Sequence, residues 1–143
     1  MANYLSTTRT NYFRVTDEER YQELFEGLTP ADDILDFSKE IDGVFYHGFG
    51  AYTDIDYRCN TSEENDCDNY GYDFDKFLQE LQKILPDDEA FIYFEAGNEK
   101  LKYVTGIAIV CTSKEIKSMS LESWAVNQAK ELLGEDFTTK TSY

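Results

Sequence analysis

Basic side chains are scarce in this sequence. Its 143 residues include 13 Lys and Arg against 29 Asp and Glu, with a single His, so the formal net charge is −16. Affinity for phosphates depends on Lys and Arg, and a strongly acidic chain is repelled by nucleic acid and by anionic lipid. The composition therefore argues against direct binding to either, and it favours a basic partner.

Long apolar runs are also missing. No run approaches the roughly 20 apolar residues that are needed to span a bilayer. The first nine residues contain no apolar segment of the kind found in signal peptides. We therefore expect a cytoplasmic protein that has no membrane partner.

Cysteine and histidine are too few and too scattered to predict a metal site. No cysteine lies at a short-range ligand spacing from His47, so we expect neither a metal nor a cofactor. Cys59, Cys67 and Cys111 make an odd count, and without an export signal reduced thiols are the expectation, with a bridge between Cys59 and Cys67 as the alternative. Cys111 ends an apolar strand pattern and is predicted to be a small core residue.

The usual motifs of phosphate, calcium and catalytic sites are incomplete. Gly48-Phe49-Gly50 lacks the following helix that would make it a phosphate cradle. Asp66 to Gly71 begins like a calcium loop, but Tyr70 at the fifth position and Phe77 at the twelfth do not supply the required oxygen ligands. Pairs of carboxylates occur in any acidic protein and do not by themselves indicate acid–base catalysis. We therefore expect no enzyme.

Aromatic residues, in contrast, are plentiful. The chain has 22 Phe, Tyr and Trp, whereas disordered acidic segments are poor in them. The hydrophobic patterns follow the order strand, helix, hairpin, acidic loop, helix, hairpin with an edge strand, helix. This order predicts a single α+β domain over residues 1–143, with an antiparallel sheet of about five to six strands covered by three helices.

Local signals in the first half place a strand, a helix and a hairpin. Residues 9–15 alternate between the two faces of a predicted strand. Thr16 followed by Glu19 is a capping-box pattern that opens the first helix. Asp42-Gly43 joins two short apolar runs and predicts a hairpin, because tight primed turns need positive φ.

In the second half the hydrophobic periods are longer. Residues 73–85 follow the spacing of a helix. Residues 90–96 and 101–111 predict a hairpin of long strands, to which residues 115–119 add a short edge strand. Ser120 is a good N-cap for the last helix.

The negative charge is distributed unevenly along the chain. From Val15 to Glu99 there are 24 acidic residues against 5 basic ones, whereas from Lys100 to Tyr143 there are 5 against 6. The densest stretch, Asp54 to Asp75, holds eight acids and Arg58 as its one base. Residues 51–72 show no sustained period and predict a long acidic loop, a class of loop that is usually functional or disordered.

We interpret this loop as a surface that imitates the phosphates of nucleic acid, against the alternative that it is a solvated loop that keeps the protein soluble. Carboxylates would replace phosphates and steer the chain to a basic groove, and tyrosines would anchor the complex. The predicted partner-binding residues are Asp54, Asp56, Tyr57, Glu63, Glu64, Asp66, Asp68, Tyr70, Tyr72, Asp73 and Asp75.

Four segments carry a family resemblance: Asn11 to Val15, Glu95 to Gly106, Thr112-Ser113, and Leu132 to Tyr143. In these segments the chain resembles a group of short acidic proteins carried by phages and mobile elements of Gram-positive bacteria. The resemblance implies a bacterial host cell as the location. It also implies the company of small inhibitors of bacterial defence, which include anti-CRISPR and anti-restriction proteins.

Charge pattern and resemblance together suggest a non-enzymatic inhibitor that evades host defence as a DNA mimic. It would block the basic DNA- or RNA-binding channel of a defence nuclease, first of all a CRISPR effector of the Cas9 type. The alternatives are an anti-restriction DNA mimic and a regulatory binder of a host protein without mimicry. A homodimer would lengthen the charged surface.

Overall fold

The computed structural model describes residues 5–59, 71–101 and 103–138. Ten strands, three α-helices and one 3₁₀ turn lie in these ranges. The helices are α1 (Glu18–Glu26), α2 (Phe74–Gln82) and α3 (Leu121–Leu133), and the 3₁₀ turn covers Ala31–Asp33. The strands are β1 (Leu5–Thr10), β2 (Leu28–Thr29), β3 (Leu35–Asp36), β4 (Lys39–Ile41), β5 (Val44–Tyr46), β6 (Phe49–Ala51), β7 (Asp56–Tyr57), β8 (Ala90–Glu99), β9 (Tyr103–Thr112) and β10 (Ile116–Ser120).

The centre of the fold is a six-stranded antiparallel sheet in the order β10-β9-β8-β1-β6-β3. Two small sheets, β2 with β7 and β4 with β5, lie beside it. The predicted α+β class and antiparallel sheet are confirmed. The hairpin at Asp42-Gly43 is also confirmed, since both residues have positive φ (51° and 83°) between β4 and β5.

One face of the sheet, which we call the inner face, carries the core. Phe91 and Cys111 lie opposite each other on β8 and β9 and are fully buried. The ring of Phe77 in α2 packs against Phe91 with centroids 6.0 Å apart. The ring of Phe25 in α1 packs in the same way against Phe49 of β6, at 5.8 Å. Helices α1 and α2 therefore cover the inner face, and Cys111 is the core residue that its position predicts.

The first strand begins earlier than the predicted range of 9–15. It covers Leu5–Thr10, and its inward-facing residues Thr8 and Thr10 are buried although they are polar. The Thr8 hydroxyl donates to the Thr53 carbonyl at 2.8 Å, and the Thr10 hydroxyl accepts from the Phe49 amide at 3.1 Å. These hydrogen bonds satisfy the buried hydroxyl groups, so the strand does not need an apolar alternation.

The N-cap of α1 lies one residue later than predicted, and the N-cap of α3 lies at the predicted residue. Asp17, and not Thr16, is the N-cap of α1, because its carboxylate accepts from the Arg20 amide. Ser120 caps α3 through the Ser123 amide as predicted. However, α3 contains no buried residue, so the third helix contributes little cover to the sheet.

Candidate functional site

The two ends of the predicted acidic loop are fixed on the core. Strand β7 pairs with β2, with Asp56 opposite Thr29. The Cys59 amide donates to the Gly71 carbonyl at 2.7 Å, and the Asp73 amide donates to the Tyr57 carbonyl at 2.9 Å. Cys59 and Gly71 therefore lie side by side, between β7 and α2.

The segment predicted as a loop over residues 51–72 is thus structured at both ends. Ala51 closes β6, and Ile55, Tyr57 and Cys59 are buried. Cys59 is disulfide-bonded, whereas the sequence favours a reduced thiol. Cys67 lies outside the described residues, and Cys111 is a free, buried thiol.

Tyr57 does not have the surface position that its proposed role as an anchor requires. It is 9 % exposed, and its ring centroid lies 5.5 Å from that of Phe77 in the core. Gly27 makes room for it, because a Cβ there would come within 2.6 Å of Tyr57 Cε1. Pairing with β2 turns Tyr57 inward and its neighbour Asp56 outward, since side chains alternate along a strand.

The other described candidates lie at or near the surface. Asp54, Asp56 and Asp75 are exposed, and Tyr72 is 39 % exposed. Asp73 is half-buried and has a structural role as the N-cap of α2, where its carboxylate accepts from the Asp75 amide at 3.0 Å. The remaining candidates lie outside the described residues: Glu63, Glu64, Asp66, Asp68 and Tyr70.

Two further carboxylates join this surface from another part of the chain. Asp32 and Asp33 are exposed in the 3₁₀ turn that follows β2, the partner strand of β7. Helix α2 also packs against β7, through Phe77 and Tyr57. We call the resulting group the acidic patch, and its residues are Asp32, Asp33, Asp54, Asp56, Asp73 and Asp75. Strands of two residues are too short to show a periodicity, so the sequence alone does not predict that Asp32 and Asp33 belong to this surface.

No basic side chain of the described residues forms an ion pair with the acidic patch. Three bases gather instead at Glu80 of α2: Arg20 at 2.8 Å, Lys83 at 2.9 Å and Lys76 at 3.7 Å. Arg58, next to β7, is exposed. Within the described ranges the charge of the acidic patch is therefore not neutralised by ion pairs, a condition that favours attraction of a basic partner.

Other kinds of site find little support in the described part of the chain. No three His, Cys, Asp or Glu side chains among the described residues could together hold a metal ion. His47 is buried, and its Nε2 lies 2.7 Å from Glu18 Oε1, so it is a packed side chain with a carboxylate partner. None of the helices described here is long and apolar enough to cross a membrane.

Comparison with known proteins identifies no relative, since no family model, curated protein or solved structure matches the chain.

Proposed function

We propose that the protein is an inhibitor that occupies a basic nucleic-acid-binding channel in place of nucleic acid. The observation that carries the proposal is the acidic patch, six carboxylates from three chain segments without a Lys or Arg ion pair among the described residues. Duplex DNA presents one negative charge per about 1.7 Å of axis. A folded surface with dense carboxylates likewise presents a negative electrostatic field to a basic groove.

Fixed geometry supports a mimic over a solvated loop. The backbone hydrogen bonds at Cys59 and Asp73 and the pairing of β7 with β2 hold the carboxylates of the patch on the core. A surface that is ordered before binding loses little conformational entropy when it binds. Tyr72, which is 39 % exposed and precedes Asp73 in the chain, provides an aromatic side chain next to the patch, a residue type enriched in binding hot spots.

The first proposed target is a CRISPR effector of the Cas9 type. Such an effector holds nucleic acid in a positively charged channel and reads a short DNA motif with arginines. A restriction endonuclease is the second proposed target, since it also binds DNA through a basic cleft. In this proposal the protein has no catalytic role and no cofactor, and the protein acts in the cytoplasm of a bacterial host.

Competition with DNA tests the proposal. A fluorescent duplex is bound to a guide-loaded effector of the Cas9 type, and its anisotropy is followed as the protein is added. We expect the duplex to be released, with an inhibitor affinity that falls steeply as salt rises from about 0.05 to about 0.2 M. The same titration with a restriction endonuclease and its site separates the two targets.

Two results would count against mimicry. Release of DNA that is equally efficient at both salt concentrations would show that charge does not carry the binding. Binding to either nuclease without any release of DNA would favour the alternative, a regulatory binder that acts elsewhere on the target protein.

A further inference from the structure

The face of the six-stranded sheet opposite α1 and α2, which we call the outer face, has no carboxylate on any of its six strands. Strand alternation and the pairing register turn Asp36, Glu95 and Glu99 to the inner face. The charged side chains that the strands place on the outer face are Arg9 and Lys117. The chain has 29 Asp and Glu, so a sheet face whose strands carry no carboxylate differs clearly from the rest of the molecule.

The outer face is apolar and uncovered across β8, β9 and β10. Phe94 is 53 % exposed and Val104 is 65 % exposed, and Val110 and Met119 are exposed beside them. At the end of β1, Leu5 borders a groove that also includes Val104. Monomeric soluble proteins rarely leave a contiguous apolar surface of this kind open to water.

Helix α3 extends the same apolar surface. Leu121 packs on the outer face at Gly106, where an added Cβ would come within 2.5 Å of Leu121 Cδ1. The helix begins there, and none of its 13 residues is buried. Its large apolar side chains Trp124, Leu132 and Leu133 are 55–83 % exposed. An amphipathic helix is normally stabilised by packing of its apolar residues, and within the described part of the chain α3 buries none of its residues fully.

We propose that the outer face and α3 form the interface of a homodimer. Two chains of net charge −16 repel each other, and along the strands of the outer face they can approach without opposing carboxylates. Helix α3 adds two acids, Glu122 and Glu131, and one base, Lys130, to the interface. In a dimer with a two-fold axis, the outer face and α3 of one copy contact the same surface of the other copy.

In this dimer the acidic patches stay free. Strand β7 and helix α2 with its N-cap, which carry three of the six patch residues, lie on the side of the inner face. Two copies joined through their outer faces therefore direct their patches away from each other. The dimer does not depend on the proposed function, and it would present two acidic patches to a basic partner.

The mass of the full chain in solution tests the interface, measured by light scattering after size exclusion at about 100 μM. Val104→Glu places a charge on the outer face. Val44→Glu is the matched control, since Val44 is also a strand valine and 43 % exposed but lies in the separate sheet of β4 and β5. We expect twice the chain mass of 16.6 kDa for the wild type and for Val44→Glu, and a single chain mass for Val104→Glu.

A second variant protects the test against misfolding. Trp124→Glu changes a helix that has no buried residue, so the core stays intact, and we expect it to halve the mass as well. Thermal unfolding of each variant confirms that it is folded. A wild-type chain that has a single chain mass at this concentration overturns the proposal and leaves the outer face to a partner of another sequence. Retention of the doubled mass by both Val104→Glu and Trp124→Glu also overturns it.

Discussion

The guanidinium of Arg20 in α1 donates to the carboxylate of Glu80 in α2, with 2.8 Å between Nη2 and Oε1. This contact joins the two helices that cover the inner face. Lys83 and Lys76 approach the same carboxylate, so three of the five bases between Val15 and Glu99 gather at one acid. Their concentration at Glu80 leaves the acidic patch without ion pairs among the described residues.

Substitution of Glu80 should destabilise the fold in a pH-dependent way. Burial alone would raise the pKa of the Glu80 carboxyl, but hydrogen bonds from Lys83 and Arg20 outweigh it, and the pKa lies below its ordinary value of 4.5. A lowered pKa stabilises the fold above the ordinary value, and that contribution is lost as the pH falls through the folded-state pKa. We expect Glu80→Gln to lower the free energy of unfolding by about 1–3 kcal/mol at pH 7.

Urea unfolding of both proteins at one concentration checks this prediction. The difference between them should narrow as the pH falls towards about 3. Glu26→Gln, at an exposed acid without an ion pair among the described residues, is the control and should change stability by less than about 0.5 kcal/mol. A constant difference at all pH values would show that Glu80 acts through packing and not through charge.

Removal of the Tyr21 hydroxyl should stabilise the protein. Tyr21 is 3 % exposed, and its hydroxyl has no hydrogen-bond partner among the described residues. Burial, together with the nearby carboxylates of Asp36 and Glu18, raises the pKa of this hydroxyl. An unsatisfied buried hydroxyl costs about 1–3 kcal/mol, so Tyr21→Phe should raise the free energy of unfolding by about 1 kcal/mol.

Tyr93→Phe is the matched control for this change. The Tyr93 hydroxyl is also buried but donates to Glu95 at 3.1 Å. Its loss should lower the free energy of unfolding by about 1 kcal/mol. Equal signs for the two variants in denaturant unfolding would contradict the assigned hydrogen bonding.

Salt should stabilise the free protein. The carboxylates of the acidic patch repel each other, and screening shortens the range of that repulsion from about 30 Å at 0.01 M to about 3 Å at 1 M ionic strength. A gain of about 1 kcal/mol would raise Tm by roughly 3–5 °C in a chain of this size. Calorimetry in NaCl measures it. A variant with Asp32, Asp33, Asp54 and Asp56 changed to Asn should show a smaller rise, and an identical rise would show that the repulsion arises elsewhere.

The cysteines should differ in chemistry. Burial raises the pKa of the Cys111 thiol to about 11, so at pH 8 it is neutral as well as inaccessible. We expect iodoacetamide to leave Cys111 unmodified in the native protein and to modify it after unfolding in about 6 M guanidinium. Peptide mapping without reductant should recover Cys59 only in a cross-linked peptide. Rapid native modification of Cys111, or a free Cys59 in the purified, air-oxidised protein, would contradict this account.

The sequence predicts the regular parts of this fold well. Helix α2 and the hairpin of β8 and β9 are long enough for their apolar periods to be read directly, and the short edge strand β10 follows from them. The predicted range of 9–15 for the first strand is wrong, because the inward-facing residues Thr8 and Thr10 of β1 are polar. They depend on hydrogen bonds that only the folded chain supplies. The lack of packing around α3 could not be predicted either, because an apolar period shows which face of a helix is apolar but not what covers it.

The sequence predicts several residues of the candidate site, but it does not predict where each of them lies in the fold. Asp54, Asp56 and Asp75 are exposed as a loop surface requires, whereas Tyr57 is a core residue. The pairing of β7 with β2 decides this difference, and it also brings Asp32 and Asp33 to the patch from about twenty residues away in sequence. A contact between two-residue strands depends on the tertiary fold and has no local signal.

The most direct test of the central claim compares two variants that have the same net charge. The first changes Asp32, Asp33, Asp54 and Asp56 of the acidic patch to Asn. The second changes four exposed acids outside the patch to amides: Glu40→Gln, Asp42→Asn, Glu115→Gln and Glu135→Gln. The measured quantity is the concentration of each variant that releases half of a DNA duplex from a guide-loaded effector of the Cas9 type. The account predicts that the patch variant needs about tenfold more protein than the wild type or worse, while the second variant stays within about twofold. Equal losses for the two variants would contradict it, because net charge, and not the acidic patch, would then determine binding.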